Sequence, residues 1–163
     1  MFDLINGIPV HPLVVHAIVV LLPLATLGTL AIVAKPSWRL RYGPVVIAAA
    51  LVSTVLMPVA TSSGEELEKR VGEPGDHAEL GDQLIFFAIP LLVTCAALVW
   101  REWKRSKAAA DGVTAAADAA PSTLIRVVAG LAVVAALASV VQVYRVGDSG
   151  AKAAWGDVPA SRG

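Results

Sequence analysis

The sequence predicts an all-α membrane protein, four transmembrane helices in an up-and-down bundle, and three observations carry that prediction. Hydrophobic residues make up 56% of the 163-residue chain and charged residues 16%, against roughly 45–50% and 25% in soluble domains. The apolar residues fall in blocks long enough for helices that cross a bilayer, which takes about 20 residues. The 13 cations and 13 acids cancel in sum, but they are segregated along the chain. A soluble chain with so few charges would lack the polar surface that keeps it dispersed.

The same figures exclude other classes. No basic excess exists to neutralise phosphates, so nucleic acid is not an expected partner. Cys95 is the one cysteine and lies in an apolar block, which leaves neither a disulfide framework nor a thiolate metal cluster. The start, Met1-Phe2-Asp3-Leu4, lacks the positive region of a cleavable signal peptide, and no lipidation signal is present.

The spans expected are Pro12–Ala34, Pro44–Thr61, Gln83–Trp100 and Thr123–Val143, within a single membrane domain over 1–147 and a tail over 148–163. No segment reads as a strand, and no internal repeat is apparent. The first loop carries Lys35, Arg39 and Arg41; the third carries Arg101, Lys104, Arg105 and Lys107, with Arg126 just beyond. The other side holds Lys69, Arg70, Arg145, Lys152 and Arg162, with the acids Glu65, Glu66, Glu68, Glu73, Asp76 and Glu79 in the middle loop. Lys/Arg asymmetry therefore puts loops one and three inside and both termini outside. Trp38, Tyr42, Trp100 and Trp103 form an inner aromatic belt, and Tyr144 marks the outer edge.

The stretch 108–121, rich in Ala, Asp and Thr, reads as a flexible inner linker. In the outer loop, Ser63-Gly64-Glu65-Glu66 has capping-box spacing and precedes Leu67 and Val71, so a short interfacial helix is expected over Glu65–Val71. Asp76-His77-Ala78-Glu79 repeats the spacing, which starts helix three near His77. On helix four, Ala132/Ala136 and Ala135/Ser139 are small-xxx-small pairs that permit close approach in lipid, and helix two offers Ala48, Ala49, Ala50, Ser53 and Thr54. Pro23, Pro58 and Pro90 sit inside the first three spans, as tolerated kinks or as kinks lining a cavity. Gly147 reads as the residue that ends helix four, with Arg145 complementing the helix end and Trp155 anchoring the tail at the outer interface.

All three histidines fall on the outer side. His11 stands near the cap of helix one, and Pro12 suits its first turn. His16 lies five residues on, about 140° round the helix and about 7.5 Å deeper, on a stripe with Val20 and Pro23 that lets its ring point inward. An ionisable residue at that depth is a functional candidate by default. His77 opens helix three. Imidazoles on facing helices suit a haem iron, or a transition metal with Asp148 among the nearby carboxylates. The competing reading makes all three structural: His11 a cap, His16 a donor to a freed carbonyl, His77 a solvated helix start.

Four stretches, Phe2–His16 (FDLINGIPVHPLVVH), Pro58–Val71 (PVATSSGEELEKRV), His77–Leu84 (HAELGDQL) and Val146–Trp155 (VGDSGAKAAW), together resemble the bacterial membrane family catalogued as domain of unknown function 2231. The resemblance covers nearly the whole chain apart from the Ala-rich inner loop and the last residues. It implies a four-span inner-membrane protein marked by a His-Pro…His opening and an outer histidine. It also implies a histidine where this chain has Asp148, and it implies no established activity.

Two functions follow. In the first, His11, His16, His77 and Asp148 form an outer-rim site that holds a metal, or His16 and His77 hold haem b, in a redox or respiratory setting. In the second, the chain is a non-catalytic accessory subunit that packs against a larger membrane complex, or against itself, with structural histidines. A proton path is disfavoured because no acid or base lies near the bilayer midplane. No nucleophile elbow, phosphate loop or buried carboxylate pair supports an enzyme.

Overall fold

A computed structural model describes residues 4–5, 7–72, 75–112 and 122–156. Two residues of strand on each side of a turn, β1 (Leu4–Ile5) and β2 (Ile8–Pro9), pair antiparallel ahead of the first helix. The expectation of no strand is thereby corrected. Asn-Gly between apolar residues is a strong hairpin signal, and Gly7 takes the left-handed φ of 81° that such a turn needs. Among the described residues five helices follow: α1 (Val10–Ala34), α2 (Arg39–Val71), α3 (Asp76–Asp82), α4 (Ile85–Ala110) and α5 (Thr123–Trp155). A single 3₁₀ turn, Pro36–Trp38, joins α1 to α2.

The four long helices are apolar enough to cross a membrane, and they close a ring in which α1 packs on α2 and α5, and α4 packs on α2 and α5. Large apolar side chains such as Leu27, Val45, Phe86, Val93 and Val134 stand exposed around it. In water such a surface would aggregate; in lipid it is the solvated face.

The helices overrun the expected boundaries. α2 and α5 have 33 residues each, about 50 Å at 1.5 Å per residue, against a hydrocarbon core of about 30 Å. The expected interfacial helix over Glu65–Val71 is therefore the projecting end of α2, with no break after Thr61. Ser62 and Ser63 do not cap a new helix, because their hydroxyls donate back to the carbonyls of Pro58 and Ala60, which leaves the backbone helical. Gly147 likewise does not stop α5, which runs on to Trp155. Arg145 therefore sits within the helix, where it donates to Gln142 Oε1. The separate short helix is instead α3, which begins at Asp76 and is set off from α4 by a turn at Gln83–Leu84. α4 continues to Ala110; the expected linker beyond residue 112, and the tail beyond residue 156, lie outside the described residues.

The interior is assembled from small and branched residues. Leu22, Ala25, Ala50, Ala88, Leu91 and Ala136 form its centre, and the expected small-residue face of α5 is the buried one, with Ala132, Ala135, Ala136 and Ser139 all inside. Two glycines set the closest helix approaches. A Cβ on Gly28 of α1 would collide with Val46 of α2, and one on Gly43 of α2 would collide with Val99 of α4. Gly130 has open space beside it. At the α1–α2 turn the buried Arg39 ties three helices together: its Nε donates to Ile32 O at 3.1 Å, and Nη1 reaches Glu102 of α4 at 3.3 Å.

Gly43→Ala overpacks a β-branched neighbour and is expected to cost about 1–3 kcal/mol, read as a lower midpoint in thermal unfolding in detergent. Gly130→Ala, in open space within a helix, is expected to be neutral or to stabilise by up to about 1 kcal/mol. A Gly43 variant as stable as the parent would show that the helices do not approach as described.

Candidate functional site

The end of the bundle that bears the histidines is built from the far ends of α2 and α5 together with the starts of α1 and α3. His11, in the first turn of α1, donates from Nδ1 to Ala60 O of α2 at 2.8 Å. Its ring lies against Gly64, one turn further along, where an added Cβ would come within 3.1 Å of Cε1. His77, in the first turn of α3, donates from Nδ1 to Val146 O of α5 at 3.1 Å and is near Ser149 Oγ at 3.3 Å. Its ring lies against Gly150, one turn beyond Val146, where an added Cβ would come within 2.9 Å of Cε1. Ser63 donates to Ala60 O at 3.1 Å, and Ser149 donates to Val146 O at 3.0 Å. Each histidine thus meets one arrangement on its neighbour: a carbonyl, a serine bonded to it, and a glycine one turn on.

The match extends down the helices, which corrects the expectation of no internal repeat. Ala49-Ala50-Leu51, Ser53, Val55 and Ser63-Gly64 of α2 correspond at constant offset to Ala135-Ala136-Leu137, Ser139, Val141 and Ser149-Gly150 of α5. Ser53 donates to Ala49 O and Ser139 to Ala135 O, both at 2.8 Å. The buried positions Ile18, Leu22, Ala25, Thr29 and Ile32 of α1 correspond in the same way to Leu84, Ala88, Leu91, Cys95 and Leu98, which run from the turn before α4 into that helix. The bundle is two copies of one helical hairpin, α1–α2 and α3/α4–α5. The seam α1–α5 answers to the seam α2–α4, and each copy carries its histidine latch. Thr29 and Cys95, at equivalent positions, are both fully buried.

The four residues expected to form one polar site are not gathered into one. His11 and His77 are on different latches. His16 does not point inward: it is exposed on α1 and its Nδ1 donates to Pro12 O of its own helix. The helix face explains the outcome: the stripe shared with Val20 and Pro23 is turned outward, with Val20 exposed and Pro23 only half-buried. Asp148 is held by Lys152 one turn on, at 2.7 Å, and that bond and charge together raise the Lys152 amine above its ordinary value. Asp148 is thus engaged within α5, whereas its neighbour Ser149 does meet His77. Among the described residues, no three of His, Cys, Asp and Glu come together as a metal-holding group.

Several participants carry no signal when read one at a time. Gly64 and Gly150 matter as ring platforms, and Thr61 matters because its hydroxyl donates to Asp82 Oδ1 of α3 at 2.9 Å. Gln142, buried below the second latch, donates to Leu80 O at 2.8 Å. The recurrent Ser-Gly pair, at the same distance from an Ala-Ala-Leu-x-Ser run, was the available clue.

A family model described as a predicted membrane protein (DUF2231) matches residues 7–160. No curated protein and no solved structure gives a match.

The three histidines should separate by stability. His11→Ala and His77→Ala each remove a bond between helices and are expected to cost about 0.5–1.5 kcal/mol, measured as denaturation midpoints in detergent. His16→Ala, which removes only a contact within α1, is expected to stay within about 0.5 kcal/mol of the parent. Equal losses at all three would contradict the latch assignment.

Proposed function

The chain belongs to the DUF2231 family of predicted membrane proteins, and from that premise we propose that it is a non-catalytic accessory subunit of the bacterial inner membrane. One observation carries the reading: His11 and His77 are each committed to closing a helix pair, as two copies of the same latch. The interior supports it. Leu22, Leu91, Ala50 and Ala136 fill the bundle, and among the described residues the fully buried polar side chains are hydroxyls, a thiol and one amide, with no charged relay through them. The long α2 and α5 ends give such a subunit a rigid outer platform. The cation asymmetry supports an outside position for that platform, since Lys35, Arg41, Arg101, Lys104, Lys107 and Arg126 all sit at the opposite end.

Metal or haem ligation is the second reading, and the same latches supply its argument. With Nδ1 taken up by a carbonyl, Nε2 is the ring nitrogen left to face a metal. Such a site would need donors beyond those of one latch.

Purification in mild detergent separates the two. The accessory reading expects no Soret band and no stoichiometric metal, together with recovery of a defined larger complex after cross-linking in native membranes. One metal or haem per chain, lost in His77→Ala, would establish the second reading in its place; recovery of the chain alone would remove the first. For orientation, a cysteine at Gly156 is expected to react with an impermeant thiol reagent added outside intact cells, and one at Ser106 is not.

A further inference from the structure

The end of the bundle opposite the latches carries a groove that neither function above uses. It runs along the α2–α4 seam as an open groove of about 540 Å³. Pro44 and Ile47 of α2 and Trp100 and Trp103 of α4 line it, with Ala96 and Ala97 supplying the short side chains that leave the space. Its lining residues are all apolar, and it sits in a span, so water is not its natural filling.

The internal repeat shows that this groove is not a by-product of the scaffold. On the equivalent α1–α5 seam the positions of Trp100 and Trp103 are held by Ala34 and Ser37, and that of Pro44 by Gly130. The wall is particular to one copy of the hairpin, and so is the charge beside it. Lys104 Nζ lies over the Trp100 ring at 5.1 Å and Lys107 Nζ over Trp103 at 5.5 Å. Both lysines are exposed. Lys35, Arg41 and Arg101 are exposed at the same end, whereas the described acids there are Glu102, engaged by Arg39, and Asp111. An apolar slot in the membrane, rimmed by tryptophans that each carry a lysine, matches a molecule with an acyl chain below and a negative charge above.

We propose that this groove is a binding site for an anionic phospholipid of the surrounding bilayer, with one acyl chain along Ile47, Ala96 and Ala97 and the phosphate at Lys104 and Lys107. The aromatic rings hold the glycerol level, where amphipathic tryptophans sit by preference. The lysine stems lie on those rings and keep their charges at the headgroup.

Native mass spectrometry of the full chain in mild detergent tests the site, using phosphatidylglycerol and phosphatidylcholine of identical chains as probes. One phosphatidylglycerol is expected to be retained per chain, with a preference of about tenfold or more, the size two lysines give at an anionic headgroup. Ala97→Phe, which fills the slot, is expected to cut retention about tenfold. Lys104→Gln with Lys107→Gln, at exposed positions that do not endanger folding, is expected to remove the preference and leave some retention of both lipids. Equal retention of the two lipids by the parent chain would overturn the proposal, as would an unchanged preference in the lysine variant. Should Ala97→Phe fail to fold, phosphatidylglycerol with a photoreactive acyl chain decides the matter. Cross-links to the Trp100–Trp103 segment are expected, and cross-links spread evenly over the outer faces of α1 and α5 would overturn the site.

Discussion

Hydrocarbon offers no hydrogen bonds, so a chain in a bilayer must satisfy its polar groups from its own atoms. Most features of this molecule are answers to that requirement. Thr26, Ser53, Thr54, Thr94 and Ser139 return their hydroxyls to carbonyls one turn back. Gln142 crosses to the Leu80 carbonyl, and Arg39 is buried only because a carbonyl and Glu102 receive its donors. Side-chain hydroxyls that a soluble protein would use to start a helix are spent inside an existing one.

The requirement has been met twice by the same device. Each hairpin sends a histidine from its first helix into a carbonyl of its second and seats the ring on a glycine that leaves room for it. The ring brings apolar bulk and one directed N–H, which suits a boundary between lipid and water better than a charge would. Duplication also makes departures from symmetry informative. Asp82 accepts a bond from Thr61, whereas in the other copy Gly147 stands at the position of Thr61, and His16, the counterpart of Asp82, bonds back to its own helix. Trp100 and Trp103 replace Ala34 and Ser37, and a groove appears. Places where the two halves differ are where one half has been adapted.

Four spans, the small-residue face of α5 and the concentration of polar residues at one rim were all legible in the sequence, because each rests on composition or on a period of 3.6. Boundaries were less legible. Ser62 and Ser63 carry a capping pattern, and whether such hydroxyls cap or bond backwards depends on whether the helix behind them is held by packing. Gly147 has the composition of a stop, and the helix continues because Ser149 and Gly150 are engaged by His77 from another element. The repeat was hidden for a related reason. Between α2 and α5 a few residues recur at constant offset, but between α1 and α4 the match is a pattern of burial alone, Ile18-Leu22-Ala25-Thr29-Ile32 against Leu84-Ala88-Leu91-Cys95-Leu98, with no identity at any of the five positions.

By itself, then, the sequence determined that this is a four-span membrane protein, which end carries the cations and which rim carries the histidines. Those properties are sums over many residues and survive any detail of packing. Only the tertiary structure decided what the histidines do. The spacing of His11, His16 and His77 along the chain is compatible with one shared centre or with separate contacts. The choice between them was made by which carbonyl and which glycine the neighbouring helix presents. Helix register across a seam is a property of two surfaces together, and neither surface states it alone.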